Sequence, residues 1–154
     1  MSRLLGSLVV ACALVACAGT SASAWPDVEV QLPSGERTQS NALRGESMTV
    51  VSLWSIWCEP CRRELPQLQQ YASDHPAVTV VALNLGDTPE AVTAYAAELG
   101  LTLPIAIDDE ARISSAIGVS SVPATVVINA EGDVVAKHLG EIDAKNLAEL
   151  VSGS

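Results

Sequence analysis

Two cysteines, Cys58 and Cys61, are separated by two residues in the segment Trp57-Cys58-Glu59-Pro60-Cys61. The pair directly follows an apolar run and directly precedes a helical pattern, so we expect both sulfurs at a strand-to-helix turn. Unpaired backbone N–H groups and the positive end of the helix dipole favour a thiolate there. Because the thiolate is the nucleophile of disulfide exchange, the spacing predicts a two-electron exchange between dithiol and disulfide.

A cysteine pair can also bind a metal ion. A zinc site normally needs four ligands at suitable spacing, and His75 and His138 lie in separate regions of the sequence. A dithiol module that carries Cu(I) is the alternative function, although no additional His or Met ligands support it. We therefore predict no resident metal ion and no small-molecule cofactor.

The first 24 residues are typical of an export signal. Arg3 gives a weakly basic start, residues 4–16 are apolar and too short to cross a bilayer, and small residues follow. We therefore predict a signal segment over residues 1–24 and an exported protein that is periplasmic or otherwise extracytoplasmic.

Two processing sites fit this segment. Ala22-Ser23-Ala24 fits cleavage after Ala24, whereas residues 14–17 resemble a lipobox, in which Cys17 becomes the lipidated first residue. We favour the lipoprotein interpretation, with residues up to Ala24 as a short flexible tether to a domain over 25–154. Several acyl chains on Cys17 would anchor the protein stably to a membrane.

The charge of the chain narrows the class of partner. The formal net charge is −10, and no basic patch is present, which excludes nucleic acid as a plausible partner. Charge-driven binding to anionic lipid is disfavoured for the same reason. We expect a monomer whose partners are proteins with a neutral or positive surface.

Strand and helix patterns alternate around the cysteine pair. Their order predicts a mixed central sheet with helices on both faces, preceded by an N-terminal β-hairpin. The cysteine turn is then at the carboxyl end of a central strand, where open α/β sheets place their sites. The predicted strands are 28–32, 37–38, 50–56, 78–85, 103–107, 124–128 and 134–139, and the predicted helices are 60–73, 89–99, 109–117 and 143–151.

The chain resembles thioredoxin-fold proteins, and most closely the exported thiol–disulfide reductases of the TlpA/ResA/CcmG type. The similarity extends from about residue 28 to the C-terminus and rests on several ordered matches. They are residues 57–66, 81–87 and 119–125, together with the turn at 129–132.

The resemblance implies a role for each matching residue. Cys58 is expected to be the attacking and more exposed thiol, and Cys61 the thiol that resolves the mixed disulfide. Pro123 matches the cis-proline that faces the cysteine pair. The backbone of Val122 would then pair with an extended substrate segment. The remaining residues expected to contact substrate are Trp57, Glu59 and Pro60.

Three residues determine the expected proton chemistry and direction. Ser52 occupies the position of the buried aspartate of thioredoxin, and Asp87 stands where relatives often carry a glutamate, so Asp87 is a candidate proton partner of Cys61. The negative Glu59 disfavours the thiolate and so favours the reductase direction. The resemblance implies exported disulfide substrates such as apocytochrome c and a membrane thiol reductant that resets the pair.

Overall fold

The computed structural model describes residues 23–154, and the predicted lipidation site Cys17 lies outside them. Within residues 23–154, eight strands form one mixed sheet in the order β1-β8-β7-β4-β5-β6-β2-β3. The central strand β4 pairs in parallel with β5 and antiparallel with β7. The strands are β1 (Ser23–Ala24), β2 (Glu29–Gln31), β3 (Arg37–Gln39), β4 (Thr49–Trp54), β5 (Thr79–Asn84), β6 (Ile105–Ile107), β7 (Ala124–Ile128) and β8 (Asp133–Leu139).

Four helices cover both faces of the sheet, as the sequence predicts. Buried side chains of α1, α2 and α4 belong to one hydrophobic core, whereas those of α3 belong to the core on the opposite face. The predicted hairpins β2–β3 and β7–β8 are both present. The helices are α1 (Glu59–Asp74), α2 (Pro89–Leu99), α3 (Arg112–Ala116) and α4 (Ala144–Ser152).

Helix boundaries follow the capping residues. The side chain of Thr88 accepts the Ala91 N–H at the start of α2, and Asp143 accepts the Asn146 N–H at the start of α4. Gly100 ends α2 with φ +63°, a conformation that glycine adopts without steric cost.

The helix α1 continues through Pro66 as one helix of 16 residues, although a proline inside a helix usually kinks or breaks it. Proline removes one backbone N–H bond, but its neighbours hold the helix to the sheet: Leu65 and Leu68 are fully buried. Packing of the apolar face therefore outweighs the local cost of Pro66.

The described chain begins with a short strand that the sequence patterns did not predict. Ser23 and Ala24 form the edge strand β1 against Val134 and Asp133 of β8. Trp25 follows at 6% exposure, and its N–H donates to Gly132 O at 2.8 Å. Burial of this indole gives a short polar segment enough apolar contact to hold a strand at the edge of the sheet.

Candidate active site

The cysteine pair lies at the end of β4 and the start of α1, where the sequence placed it. Cys58 is the N-cap residue of α1, and its Sγ accepts the backbone N–H of Cys61 at 3.3 Å. The two sulfurs are joined in a disulfide, with Cα atoms 5.3 Å apart. Both residues are buried, Cys58 at 3% exposure and Cys61 at 1%. Cys58 Sγ is therefore the sulfur that receives a helix N-terminal N–H group, an environment that favours a thiolate.

Two tryptophans three residues apart have opposite environments. Trp57 is 74% exposed beside Cys58, as the sequence predicted, whereas Trp54 is fully buried at the end of β4. Trp54 stacks on Tyr95 of α2, with ring centroids 5.3 Å apart. An exposed indole next to a reactive disulfide is well suited to contact a protein partner.

The segment before β7 forms the other wall of the site. The Val122–Pro123 peptide bond is cis, as predicted. Within residues 23–154, neither the N–H nor the C=O of Val122 takes part in a backbone hydrogen bond. An unpaired backbone of this kind can accept an extended peptide as an added strand. A small cleft beside it is lined by Ser55, Trp57, Leu85, Ser120, Ser121 and Val122.

Asp87 contacts the loop that leads into the cysteine pair. Its Oδ2 accepts the Ile56 N–H at 2.9 Å and an Asn84 Nδ2 hydrogen at 2.8 Å. The Asp87 N–H in turn donates to Asn84 Oδ1 at 2.9 Å. The carboxylate therefore fixes Ile56, two residues before Cys58, and every hydrogen bond it makes is to loop or strand atoms.

A buried carboxyl group, that of Glu64, was not predicted from the sequence. It is fully buried on the sheet-facing side of α1, three residues after Cys61. Ser52 Oγ donates to its Oε1 at 3.1 Å, and the Ile142 N–H donates to its Oε2 at 2.9 Å. A sequence signal was present, because position 64 lies four residues before Leu68 and three after Cys61, on the apolar stripe of the helix.

The pKa of Glu64 is raised, and burial is the largest cause. Glu141, a nearby like charge, also raises it. The hydrogen bonds from Ile142 and Ser52 lower the pKa, as does the charge of His138. The balance leaves a carboxyl group that binds a proton more readily than an exposed glutamate does.

Ion pairs surround the first turn of α1. Arg63 Nη2 lies 2.7 Å from Glu141 Oε2, and its Nη1 lies 3.7 Å from Glu59 Oε1. Arg62 forms a separate pair with Glu98. One arginine thus faces two glutamates, so Arg63 only partly neutralises Glu59, which lies between the two cysteines in the sequence.

Metal-binding clusters and membrane-spanning helices are both absent from the described part of the chain. Among residues 23–154, no group of three or more His, Cys, Asp or Glu side chains is arranged to hold a metal ion. No helix of the same residues is long and apolar enough to span a bilayer.

Similarity to known proteins identifies a family. Residues 22–137 match the model of the AhpC/TSA family. Thiol-disulfide oxidoreductase ResA of Bacillus subtilis (strain 168) is 32% identical over 112 residues, which cover 71% of this chain and 62% of that relative. The chain therefore spans less than two thirds of this relative's length, and the match confirms the predicted resemblance.

Solved structures share the fold. The thioredoxin-family thiol:disulfide interchange protein from Chlorobium tepidum TLS has a TM-score of 0.72 at 21% identity, covering 88% of this chain and 98% of that one. The exposed lipoprotein thioredoxin from Streptococcus pneumoniae strain TIGR4 has a TM-score of 0.69 at 21% identity, covering 84% and 100%. These similarities confirm the predicted thioredoxin fold.

Proposed function

Because the chain belongs to the AhpC/TSA family, we propose that it is a thiol–disulfide oxidoreductase whose redox centre is the Cys58–Cys61 pair. One observation carries the proposal: Cys58 Sγ caps the N-terminus of α1, accepts the Cys61 N–H and is bonded to Cys61 Sγ. Such a sulfur is favoured as a thiolate and has its resolving thiol within reach.

The reaction proceeds in two exchanges. The Cys58 thiolate attacks one sulfur of a substrate disulfide, forms a mixed disulfide and releases the other substrate sulfur as a thiolate. Cys61 then loses its proton and attacks Cys58 Sγ, which closes the protein disulfide and releases the second substrate thiolate. Two electrons pass from the protein dithiol to the substrate, and the two protons lost by the protein thiols balance those gained by the substrate thiols.

We propose that Glu64 accepts the proton that Cys61 loses in the second exchange. This carboxyl group lies one helical turn after Cys61 on the same buried face. Burial raises its pKa, so its anion accepts a proton more readily than an exposed glutamate does. Asp87 was a candidate acceptor from the sequence. Its hydrogen bonds to Ile56 and Asn84 favour a role in holding the loop instead.

The charges favour the reductase direction. Glu59 and Glu141 share Arg63, so a net negative charge remains beside Cys58. A negative charge makes the Cys58 thiolate less stable, and a less stable reduced form is a stronger reductant.

Trapping tests the assigned roles. Cys61→Ser should accumulate a mixed disulfide between Cys58 and a model substrate such as insulin, visible by mass spectrometry. Cys58→Ser should accumulate none and should lose insulin reduction. Trapping by Cys61→Ser alone supports the assignment, whereas equal trapping by both variants contradicts it. Tight Cu(I) binding by the dithiol without insulin reduction would support the metal-carrier alternative.

The reduction potential tests the direction. Equilibration of the wild type with glutathione or dithiothreitol buffers should give a potential well below about −120 mV, the value of the oxidant DsbA. Glu59→Gln should raise the potential by about 10–30 mV. Glu149→Gln, an exposed carboxylate paired with Lys145 on α4, is the matched control and should leave it unchanged. A potential near that of DsbA would reverse the direction.

The cellular role is proposed from the sequence and from the similarity to known proteins. Candidate substrates are exported proteins with paired cysteines, apocytochrome c among them, and a membrane thiol reductant would reset the pair. The signal-like segment over residues 1–24 supports export, and the similarity to an exposed lipoprotein supports lipid attachment at Cys17.

The mature N-terminus tests the anchor. Expression of the full chain in a bacterium should yield a membrane-associated protein whose mass fits a lipidated Cys17, and Cys17→Ser should release it or leave it unprocessed. A mature protein that begins at Trp25 would contradict lipid attachment while leaving export intact.

A further inference from the structure

A row of polar side chains crosses the sheet beside Glu64. Ser52 of β4 is directly opposite Thr125 of β7, and Thr125 is directly opposite His138 of β8. Residues directly opposite one another in paired strands project from the same face of a sheet. Since Ser52 reaches Glu64 of α1, the row Ser52–Thr125–His138 faces that helix.

The row runs from the buried interior toward solvent. Ser52 and Thr125 are buried, while His138 is half-buried. Thr125 Oγ1 has no hydrogen-bond partner among residues 23–154. His138 is at the solvent end of the row and is the only ionisable side chain of the three.

The turn after β8 links His138 to the same carboxyl group. His138 Nε2 lies 3.3 Å from Glu141 O. The next residue, Ile142, donates its N–H to Glu64 Oε2 at 2.9 Å. The imidazole thus contacts the turn that supplies one of the two hydrogen bonds to Glu64.

The ionisable groups around Glu64 come from α1, from the turn after β8 and from the sheet, and some of them are already paired with other charges. From α1 come Cys61 and Arg63, and Arg63 is engaged by Glu141 and Glu59. The turn contributes Glu141, and the sheet contributes His138. His138 is the one ionisable side chain of the row Ser52–Thr125–His138.

We propose that His138 is a positioning residue for Glu64: the charge of its imidazole controls ionisation of the buried carboxyl group, and so the pH range in which Cys61 can be deprotonated. The inference rests on the proposed role of Glu64 as proton acceptor. A protonated imidazole favours the Glu64 anion, which can accept the Cys61 proton, and a neutral imidazole gives it no such support.

The size of the effect follows from distance. The Glu64 carboxyl group contacts Ser52, and His138 is two strands from Ser52, which puts the imidazole roughly 10 Å from the carboxyl group at the usual strand spacing. Two charges that far apart, at an effective dielectric constant of about 20, move a titration by about one pH unit. Because a protonated Glu64 cannot accept the Cys61 proton, the effect falls on the acid limb of the resolving step.

The experiment is a single-turnover reaction of the reduced protein with dithiodipyridine. Attack by Cys58 releases the first thiopyridone, and attack by Cys61 on the mixed disulfide releases the second. The rate of the second release is followed against pH for the wild type, His138→Gln, His138→Lys and His75→Gln. His75 is the other histidine of the chain and caps the far end of α1 against Tyr71.

The proposal predicts a charge-specific result. His138→Gln should move the acid limb of the second release about one pH unit upward, with the first release changed little. His138→Lys keeps a positive charge and should leave the limb at or below its wild-type position, and His75→Gln should match the wild type. A His138→Gln profile that superimposes on the wild type overturns the proposal, as does an equal upward movement in the Gln and Lys variants.

The variant Glu64→Gln distinguishes a failure of the His138 proposal from a failure of the proposed role of Glu64 as proton acceptor. If Glu64 accepts the proton, Glu64→Gln slows the second release and removes the acid limb. If that limb persists in Glu64→Gln, the role of Glu64 is wrong, whatever the His138 variants show. If Glu64→Gln removes the limb and the His138 variants leave it in place, only the role of His138 is wrong.

Discussion

Ser52 of the central strand donates a hydrogen bond to the buried Glu64 of α1 at 3.1 Å. Ser52 stands where the sequence resemblance places the buried aspartate of thioredoxin. The structure therefore supplies a carboxyl group to the same part of the core from the helix instead of the strand. A serine at position 52 is small enough to leave room for that carboxyl group and polar enough to bind it.

We expect Glu64→Gln to slow the resolving step more than the first attack. Glutamine fills the same volume, can accept the Ile142 N–H and can donate to Ser52 Oγ, so it keeps the hydrogen bonds while losing the proton acceptor. General-base catalysis is worth about 10²–10⁴-fold, and we expect a loss at the low end of that range because solvent can substitute. Rapid-mixing kinetics of the two releases measure it, and equal slowing of both would argue against the assignment.

The raised pKa of Glu64 also predicts how stability depends on pH. Between the ordinary glutamate pKa of 4.5 and the raised pKa of the native state, the folded protein binds more protons than the unfolded chain. The stability that protonated Glu64 contributes is therefore complete below about pH 4.5 and is lost as the pH rises through the native pKa. Glu64→Gln lacks this loss, so its stability relative to the wild type should improve with rising pH. The improvement should be about 1.4 kcal/mol for each pH unit that separates the native from the unfolded pKa.

Urea unfolding of the oxidised protein from acidic to neutral pH measures this difference. Glu149→Gln removes an exposed carboxylate of α4 and should follow the wild type across the range. A stability difference between Glu64→Gln and the wild type that stays constant with pH would show that the buried carboxyl group does not titrate in this window.

Substitutions of Asp87 test whether its carboxylate holds the loop before Cys58 or accepts the proton of Cys61. Asp87→Ala removes the acceptor for Ile56 N–H and Asn84 Nδ2 and should cost about 1–3 kcal/mol of stability and slow attack by Cys58. Asp87→Asn keeps a carbonyl oxygen for both donors and should behave much like the wild type. If Asp87 transferred the proton of Cys61, Asp87→Asn would slow the resolving step as strongly as Asp87→Ala.

We expect substitution of Trp57 to affect substrate binding and substitution of Trp54 to affect folding stability. Trp57→Ala removes a side chain that is 74% exposed and should change stability by less than about 0.5 kcal/mol, while raising the KM for a protein disulfide. Trp54→Ala, the matched buried position, should cost about 3–5 kcal/mol. Chemical unfolding and insulin-reduction kinetics check both. An unchanged KM in Trp57→Ala would remove this indole from the substrate surface.

Local patterns in the sequence specified most of the fold. Thr88, Pro89 and Gly100 delimit α2 through capping and backbone preference, which depend on a few neighbouring residues. The apolar runs of β4 and β5 and the short turn between β7 and β8 are equally local signals. The strand β1 was missed, because its pairing depends on the burial of Trp25 against a hairpin more than a hundred residues later in the chain.

The sequence by itself determined the redox pair, since Cys58 and Cys61 are close in the chain and their position before α1 follows from helix periodicity. It also indicated the cis-proline at Pro123 through resemblance. Only the tertiary structure decided the surroundings of the pair. The contacts of Glu64 with Ser52 and Ile142 join residues 12 and 78 positions apart, and no local pattern encodes contacts that form only when helix, strand and turn pack together.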